Sequence, residues 1–503
     1  MNPLITDALA GWTRLTPDAP AIVYDGQDVV SFREIDEWTD NAAHHLRGLG
    51  LEMGQRVGIL GTNSLEWVVA GVGALKAGAV VVPLNERFVA QELEYMVTRT
   101  SASLILHADS HVKQAEQTGA LAGVPVARLA EFNDLRPRLH GHQQFARPEV
   151  DSASPAVLIF TSGTSARPKA AVYTHDSLQN MINENARTNS VLGPGTRWLY
   201  VLGMSGAPGL PFHILQALNR GATLYYEKGF DPKNTLRRLA DDKIEMMMGV
   251  PLLFEAMMAQ PEFAEADLSA LQYVTIAGAR CSPEVLKSWL AKGVSLRQSY
   301  GMTEASGLST VNSVADAMDK PEFCGRGTLY TTHRVVRPDG TDCDPGELGE
   351  ILVKGPLVIS GYWENEEATR EAFRDGWFHS GDLGRLDETG NLQIVDRLKD
   401  LIISGGYNIA PAEIENAIAA VPGVIEVCVI ATPDERFGET PTAIVHGSDG
   451  LTEEMLAQAI EGKLASYKRP KNFIISGEPL PRMASGKIAR RIIRDHFSLS
   501  AQG

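Results

Sequence analysis

Basic residues are in deficit: Lys and Arg number 46 against 62 Asp and Glu, a formal charge of −16 over 503 residues. A chain so acidic is repelled by nucleic-acid backbones, although small nucleotides stay open as ligands. Cysteine is scarce as well. Cys281, Cys324, Cys343 and Cys428 are scattered without a CxxC pair, which argues against a disulfide framework and a zinc site and fits reduced thiols in a cytoplasmic protein. Long apolar runs are missing too, because the strongest stretch, Val68 to Pro83, contains Lys76 and several glycines and reads as a helix, a turn and a strand. The first seven residues lack the basic-then-apolar pattern of a secretory leader, and no short repeat or low-complexity tract is evident. No structural metal, membrane span or nucleic-acid partner is therefore expected.

What is present is a long chain with α/β periodicity. Length alone suggests about three structural units. Strand-like runs at Arg56–Leu60, Ala79–Val82, Ser103–Leu106, Ala156–Phe160 and Thr223–Tyr226 alternate with helical patterns, the signature of helix-covered sheets. From about Gly325 short Gly- and Pro-rich segments take over, with Gly346 to Val353 reading as a turn into an antiparallel strand. Past Asp396-Arg397-Leu398-Lys399-Asp400 an α+β pattern restarts: helix Pro411–Ala420, strands Glu426–Ala431 and Thr442–His446, helix Thr452–Ala465. The expected organisation is an N-terminal domain over 1–398, β-rich over about 325–398, and a small C-terminal domain over 399–503. The methionines at 246–248 and 257–258 read as core filling.

Several segments have residues suited to a nucleotide. Thr161-Ser162-Gly163-Thr164-Ser165-Ala166-Arg167-Pro168-Lys169 follows a buried strand, so its hydroxyls, Gly and Lys fall at a strand's carboxyl end, where α/β sheets place ligands. It is not the Walker pattern, since Pro precedes the Lys and no Ser or Thr follows it. Alone, such a loop is more often just a solvated turn. Gln298-Ser299-Tyr300-Gly301-Met302-Thr303-Glu304 combines an aromatic face, a backbone bend, a hydroxyl and a carboxylate able to hold Mg²⁺, although a helix cap at Thr303 accounts for the same residues. Ser380-Gly381-Asp382 puts an acceptor carboxylate after a tight turn, which suits a ribose. Lys487 projects from a Gly-containing turn near the far end of the chain.

In this order and at these separations the segments resemble the adenylate-forming superfamily of acyl-CoA synthetases, luciferases and peptide-synthetase adenylation domains. Pro83-Leu84-Asn85, Gly249-Val250-Pro251 and Ala277-Gly278-Ala279 extend the likeness, and Ser404 to Ile409 with Tyr467 to Lys471 look most like the acid:CoA ligase branch. The resemblance implies an α/β N-terminal domain, a mobile C-terminal domain hinged at Lys399, and ATP, Mg²⁺, CoA and a carboxylic acid as partners. It implies Lys487, Thr303 and Glu304 in catalysis, with Glu304 and Thr161 on the metal. It puts Thr161 to Ser165, Lys169, Gly278, Ala279, Gln298, Ser299, Tyr300, Gly301, Asp382 and Arg397 around ATP or AMP. Met204, Ser205, Gly206, Ala207, Gly249, Ala277 and Met302 line the acyl pocket, and Ser404, Gly405, Gly406, Phe437, Tyr467, Arg469 and Lys471 meet CoA.

The chain departs from the pattern in two places. Ala166 and Ala170 stand where Gly is common, and a Cβ costs on the order of 1 kcal/mol wherever φ must be positive. The aromatic-His gate of the acyl pocket is replaced by Gly203-Met204-Ser205-Gly206-Ala207-Pro208-Gly209, whose small side chains leave volume for a bulky or ring-containing acid. His213 reads as a packed histidine rather than a substitute gate, and Arg280 as either a substrate contact or a salt-bridge residue. Adenylation with a carrier-protein thiol or amine as acceptor, and a degenerate nucleotide-binding member, are the competing readings. Oligomeric state is left open.

Overall fold

The computed structural model describes residues 3–161, 168–279, 281–404, 407–434, 436–461, 463–483 and 487–500. The chain divides into two compact units, Met1–His333 with Val353–Phe378, and Arg334–Leu352 with His379–Gly503.

The first unit is built on two helix-covered sheets. In one, strands Val126–Arg128, Ala102–His107, Arg56–Leu60, Val80–Leu84, Pro155–Thr161 and Lys169–Thr174 lie side by side in that order, parallel except for the last. In the other the order is Leu296–Gln298, Tyr273–Ile276, Met246–Gly249, Arg197–Tyr200, Thr223–Tyr226, Pro20–Tyr24 and Asp28–Ser31, again parallel but for the last strand. Both faces of this second sheet are buried. Trp198, Met246 and Met248 point into one core, and Leu199, Met247 and Val274 into another, which is why the strands read as continuous apolar runs. The predicted methionine packing is what the fold displays.

Helix starts follow from local side chains. Ser31, Ser64, Thr174 and Ser282 each accept a backbone N–H three residues on, satisfying a donor that the first turn leaves open. Helix Leu65–Lys76 is buried along its whole length, and Lys76 is 2% exposed at its end. That charge is held by Asp36 Oδ1 and Asp40 Oδ1, both 2.6 Å from Nζ, and by the Asp36 carbonyl at 2.7 Å.

In the second unit, strands Gly349–Lys354, Trp377–Leu386 and Leu392–Arg397 contribute to an antiparallel sheet, as the Gly- and Pro-rich composition suggests. Further on, Tyr407–Ile409, Ile402–Ser404, Gly438–Gly447 and Val424–Asp434 form a second sheet, with Asn472–Ser476 parallel to Gly438–Gly447. Helices Pro411–Ala419 and Glu453–Ile460 pack on it through Ile414, Ile418, Leu456 and Ile460. The second helix is shorter than its apolar pattern suggests. Its chain leaves the helix at Glu461, where an isolated bridge to Leu464 replaces the next turn.

Candidate active site

Thr161 ends one strand, Lys169 opens the next, and the two face each other in register across the mouth of the antiparallel pair. The connecting residues Ser162, Gly163, Thr164 and Ser165, together with Ala166, lie outside the described residues. Ala170 has no need to be glycine. It sits in regular strand opposite Phe160, 3% exposed, and its carbonyl accepts the Trp363 N–H at 2.8 Å. Its φ is not positive, so the strain considered for this position does not arise.

The carboxylate candidate is tightly supported. Glu304 lies in a short 3₁₀ turn, Thr303–Ala305, and is 8% exposed. Tyr362 donates its hydroxyl to Glu304 Oε1 at 2.9 Å, Ile359 N–H donates to the Glu304 carbonyl at 2.9 Å, and Tyr173 donates its hydroxyl to the Thr303 carbonyl at 2.6 Å. Burial raises the pKa of both phenols, and the Glu304 charge raises them further, so each remains a donor. The Lys169 ammonium lies over the Tyr362 ring, 5.2 Å from its centroid. Lys169, Tyr362 and Glu304 thus form one relay of contacts. Tyr173 and Tyr362 lie 130 and 58 residues from their partners, and nothing local in the sequence marks either as part of this turn.

The backbone ahead of Glu304 is held by close approach. Gly301–Met302 pairs with Gly307–Leu308, and a Cβ on Gly301 would lie 2.0 Å from the Gly307 carbonyl oxygen. Tyr300 is buried, its N–H donates to Thr310 Oγ1 at 2.7 Å, and its ring lies 6.1 Å from that of His333. Ser299 and Gln298 are buried beside it. Gln298 Oε1 accepts from Cys281 N at 3.0 Å and its amide donates to the Pro321 carbonyl, so this side chain braces the loop that holds Gly278 and Ala279. Gly278 has φ +87°, the left-handed turn that ends the strand Tyr273–Ile276. Cys281 is 2% exposed, and burial pushes its thiol up to about 12. Arg280 lies outside the described residues.

The acyl-pocket candidates gather at the carboxyl ends of neighbouring strands. Gly249 ends Met246–Gly249, and its carbonyl accepts the Ala277 N–H at 3.1 Å. Met204 and Ala207 are buried, whereas Ser205 and Gly206 are partly exposed. A Cβ on Gly206 would meet only Pro208 Cδ at 3.4 Å, so there is local room at this position. His213 lies in a π-helical segment, Pro208–Leu215, with no exposure, 4.7 Å from the Trp198 ring and 4.3 Å from Tyr200. Its Nδ1 meets the Pro208 carbonyl at 2.5 Å, and burial lowers its pKa to about 3, the behaviour of a packed neutral imidazole.

In the second unit Asp382 and Arg397 are register partners on adjacent strands, with Arg397 Nε 3.1 Å from Asp382 Oδ1. The tight turn expected before Asp382 is absent: Ser380, Gly381 and Asp382 lie within strand Trp377–Leu386, where Gly381 takes φ +66°, Glu350 Oε1 accepts its N–H at 3.2 Å and Ser380 Oγ accepts the Asp382 N–H at 3.0 Å. Lys487 is close enough to feel both. Partial desolvation and the positive Arg397 lower its ammonium pKa, with Asp382 opposing them. Lys399 lies in a 3₁₀ turn, Leu398–Asp400, between Asp396 and Asp400, which Arg490 approaches at 3.6 and 3.4 Å. Of the CoA candidates, Lys471 lies over the Phe437 ring at 4.4 Å, and Ser404 pairs with Gly438, the residue after Phe437. Tyr467 is exposed, and Arg469 pairs with Glu461 at 3.3 Å. Gly405 and Gly406 lie outside the described residues.

Hydroxyl, ammonium and carboxylate groups near strand ends of the first unit are the donor set of an α/β enzyme that manages anionic reactants; the second unit, by itself, carries the Asp382–Arg397 pair. The AMP-binding enzyme family model matches residues 9–363, and the AMP-binding enzyme C-terminal domain matches residues 413–487. The chain belongs to the AMP-binding enzyme family, and it is an ATP-dependent, adenylate-forming acyl-CoA ligase. It is 36% identical over 490 residues to a feruloyl-CoA synthase of Amycolatopsis sp, covering 96% of this chain and 97% of that one. It is 34% identical over 490 residues to the long-chain-fatty-acid–CoA ligase FadD13 of Mycobacterium tuberculosis, covering 96% of each. The o-succinylbenzoate CoA synthetase of Bacillus subtilis, solved with ATP and magnesium ion, superimposes with a TM-score of 0.87 at 27% identity, over 97% of this chain and 99% of that one. Among the described residues no helix is long and apolar enough to cross a membrane.

Proposed function

We propose that the ligase activates a bulky or ring-containing carboxylic acid. The observation that carries this reading is the local room at Gly206, where a Cβ would meet only Pro208 Cδ at 3.4 Å, among the small side chains of Gly203 to Gly209. In the first half-reaction a carboxylate oxygen attacks the α-phosphorus of ATP and pyrophosphate leaves. Both reactants are anionic, so rate comes from positioning and from cations placed between them. Lys487 bridges the carboxylate and the α-phosphate, a role supported by its place in the field of Asp382 and Arg397, which hold the ribose. Lys169 and the loop that follows Thr161 hold the outer phosphates, Thr303 donates to the α-phosphate, and the adenine lies between Tyr300 and the backbone at Gly278 and Ala279.

Glu304 and Thr161 offer hard oxygen donors of the kind Mg²⁺ takes in ones and twos beside phosphate. When bound, the ion neutralises charge on the phosphate oxygens. Tyr362 fixes the carboxylate through one oxygen. In the second half-reaction the CoA thiol attacks the acyl carbonyl and AMP leaves. The C-terminal domain, residues 399–503, turns about Lys399 so that Lys487 withdraws and Ser404 with Gly405 and Gly406 lines the pantetheine path. Phe437 and Lys471, already in contact, meet the CoA nucleotide with Tyr467 and Arg469. Dependence on ATP and CoA and the free cysteines fit a cytoplasmic enzyme.

Pyrophosphate release over aliphatic, aromatic and polycyclic acids, each with and without CoA, tests the reading. Turnover of ring-bearing acids, with AMP release that requires CoA, is expected. Turnover of acetate-sized or short straight-chain acids alone would overturn it.

A further inference from the structure

Within the first unit lies a partly open cavity of about 20 Å³, the room of one water molecule. It lies against the face of the seven-stranded sheet that carries Met246, Met248 and Thr275. Three carboxamides line it: Asn185 and Asn189 from helix His175–Thr188 and its end, and Gln216 from the start of helix Gln216–Arg220. These side chains belong to residues only 9%, 5% and 2% exposed. Burying a carboxamide costs free energy unless it finds partners, and Asn189 Oδ1 finds one in the Val191 N–H, which donates to it at 3.0 Å. Asn185 Nδ2 donates to Gln216 Oε1 at 3.1 Å, and Asn189 Nδ2 donates to the Met246 sulfur at 3.6 Å, a weak acceptor.

The strands say where the cavity stands relative to the chemistry. Met248 immediately precedes Gly249, and Thr275 lies two residues before Ala277 on the same face of its strand, so the cavity is about 7 Å below the strand ends. That is roughly the span of an aromatic ring. We infer that the carboxamides of Asn185, Asn189 and Gln216 form the far end of the acyl pocket and receive an uncharged hydrogen-bonding group, a hydroxyl or a carbonyl, carried by the acid at the end away from its carboxylate. This rests on the reading of the acid as bulky or ring-containing. A charged group is disfavoured because no lining residue is ionised, and the neighbouring Glu184 spends its carboxylate on Thr328 Oγ1 and, at 2.9 Å, on the Tyr330 N–H. Carboxamides both donate and accept, so either a hydroxyl or a carbonyl finds a partner.

The test uses matched pairs of acids that differ only in a distal oxygen: 3-(4-hydroxyphenyl)propanoate against 3-phenylpropanoate, an ω-hydroxy fatty acid against its parent, and a polycyclic keto acid against its deoxy form. Pyrophosphate release gives kcat/KM for each. In the unaltered enzyme at least one oxygenated acid is expected to exceed its partner by about tenfold or more, since a site built to hydrogen-bond a substrate group rejects the analogue lacking it. Gln216→Met and Asn189→Leu should bring that ratio to one or below. Ring-bearing acids turned over with no preference in any pair would overturn this inference and leave the broader reading standing. Turnover of acetate-sized acids alone would overturn both. A preference that survives both substitutions would remove these residues from the explanation, and the matched ratio in the unaltered enzyme is informative even if a variant fails to fold.

Discussion

Replacing Tyr362 by Phe removes a single hydroxyl from the support of Glu304. The 2.9 Å bond joins two buried residues and ends on a carboxylate oxygen, and bonds of this charge-assisted kind contribute about 1.5–3 kcal/mol. Phenylalanine keeps the ring beneath Lys169, so the substitution isolates the hydroxyl from the cation–π contact. If Glu304 needs that bond to face the metal and triphosphate, loss of about 1.4–2.8 kcal/mol from the transition state lowers kcat/KM for pyrophosphate release roughly tenfold to a hundredfold. Thioester formation from preformed acyl-adenylate and CoA should hardly change, because no pyrophosphate leaves in that step. Stopped-flow pyrophosphate release, run beside thioester formation from synthetic acyl-adenylate, separates the two. Adenylation within twofold of the unaltered enzyme, or equal losses in both half-reactions, would refute the argument that Tyr362 acts by orienting Glu304.

Lys487→Ala should abolish most adenylation and spare thioester formation from acyl-adenylate; equal loss in the two assays would count against the domain turn about Lys399. His213, with its folded pKa near 3 against 6.5 when unfolded, stays neutral while the unfolded chain takes up a proton. Its contribution is therefore fully present above pH 6.5 and is lost as pH falls toward 3, at about 1.4 kcal/mol per pH unit. Urea midpoints from pH 7 to 4 should fall less steeply for His213→Phe, and an unchanged slope would show that other groups govern acid stability. Lys76→Met leaves the buried Asp40 with His142 at 3.3 Å and the partly exposed Asp36 with Arg147 at 3.6 Å, and should cost about 3 kcal/mol, read as a lowered thermal midpoint at neutral pH. A midpoint within 2 °C of the unaltered protein would mean that the two carboxylates find protons or water at little cost.

Period and apolar length carried much of the fold. The runs at 56–60 and 223–226 are strands to the residue, and 156–160 lengthens by one residue at each end. These segments are buried on both faces, so every residue reports on the core. The turn at Thr303–Glu304 and the Asp382–Arg397 pair were visible because each motif's chemistry is local or comes from adjacent strands. Tyr173, Tyr362 and the carboxamides at 185, 189 and 216 were not. Each contributes through partners distant in the chain, and a lone Tyr, Asn or Gln in an α/β pattern has no spacing that distinguishes a structural donor from a ligand. The end of the helix at Ile460 was also hidden, because the apolar periodicity continues to Leu464 after the backbone has turned away.

Cys281, 2% exposed, lies two residues beyond Ala279, the proposed adenine contact, in a protein whose product and intermediate are both acylating agents. Any thiolate nearby would compete with CoA for the acyl group and leave the enzyme modified by its own chemistry. Burial pushes its thiol up to about 12, so at neutral pH it stays protonated and a poor nucleophile. Cys428, pushed up to about 11, is protected in the same way. Burial here acts as a safeguard against self-acylation, reserving the activated acid for the thiol that arrives with the co-substrate.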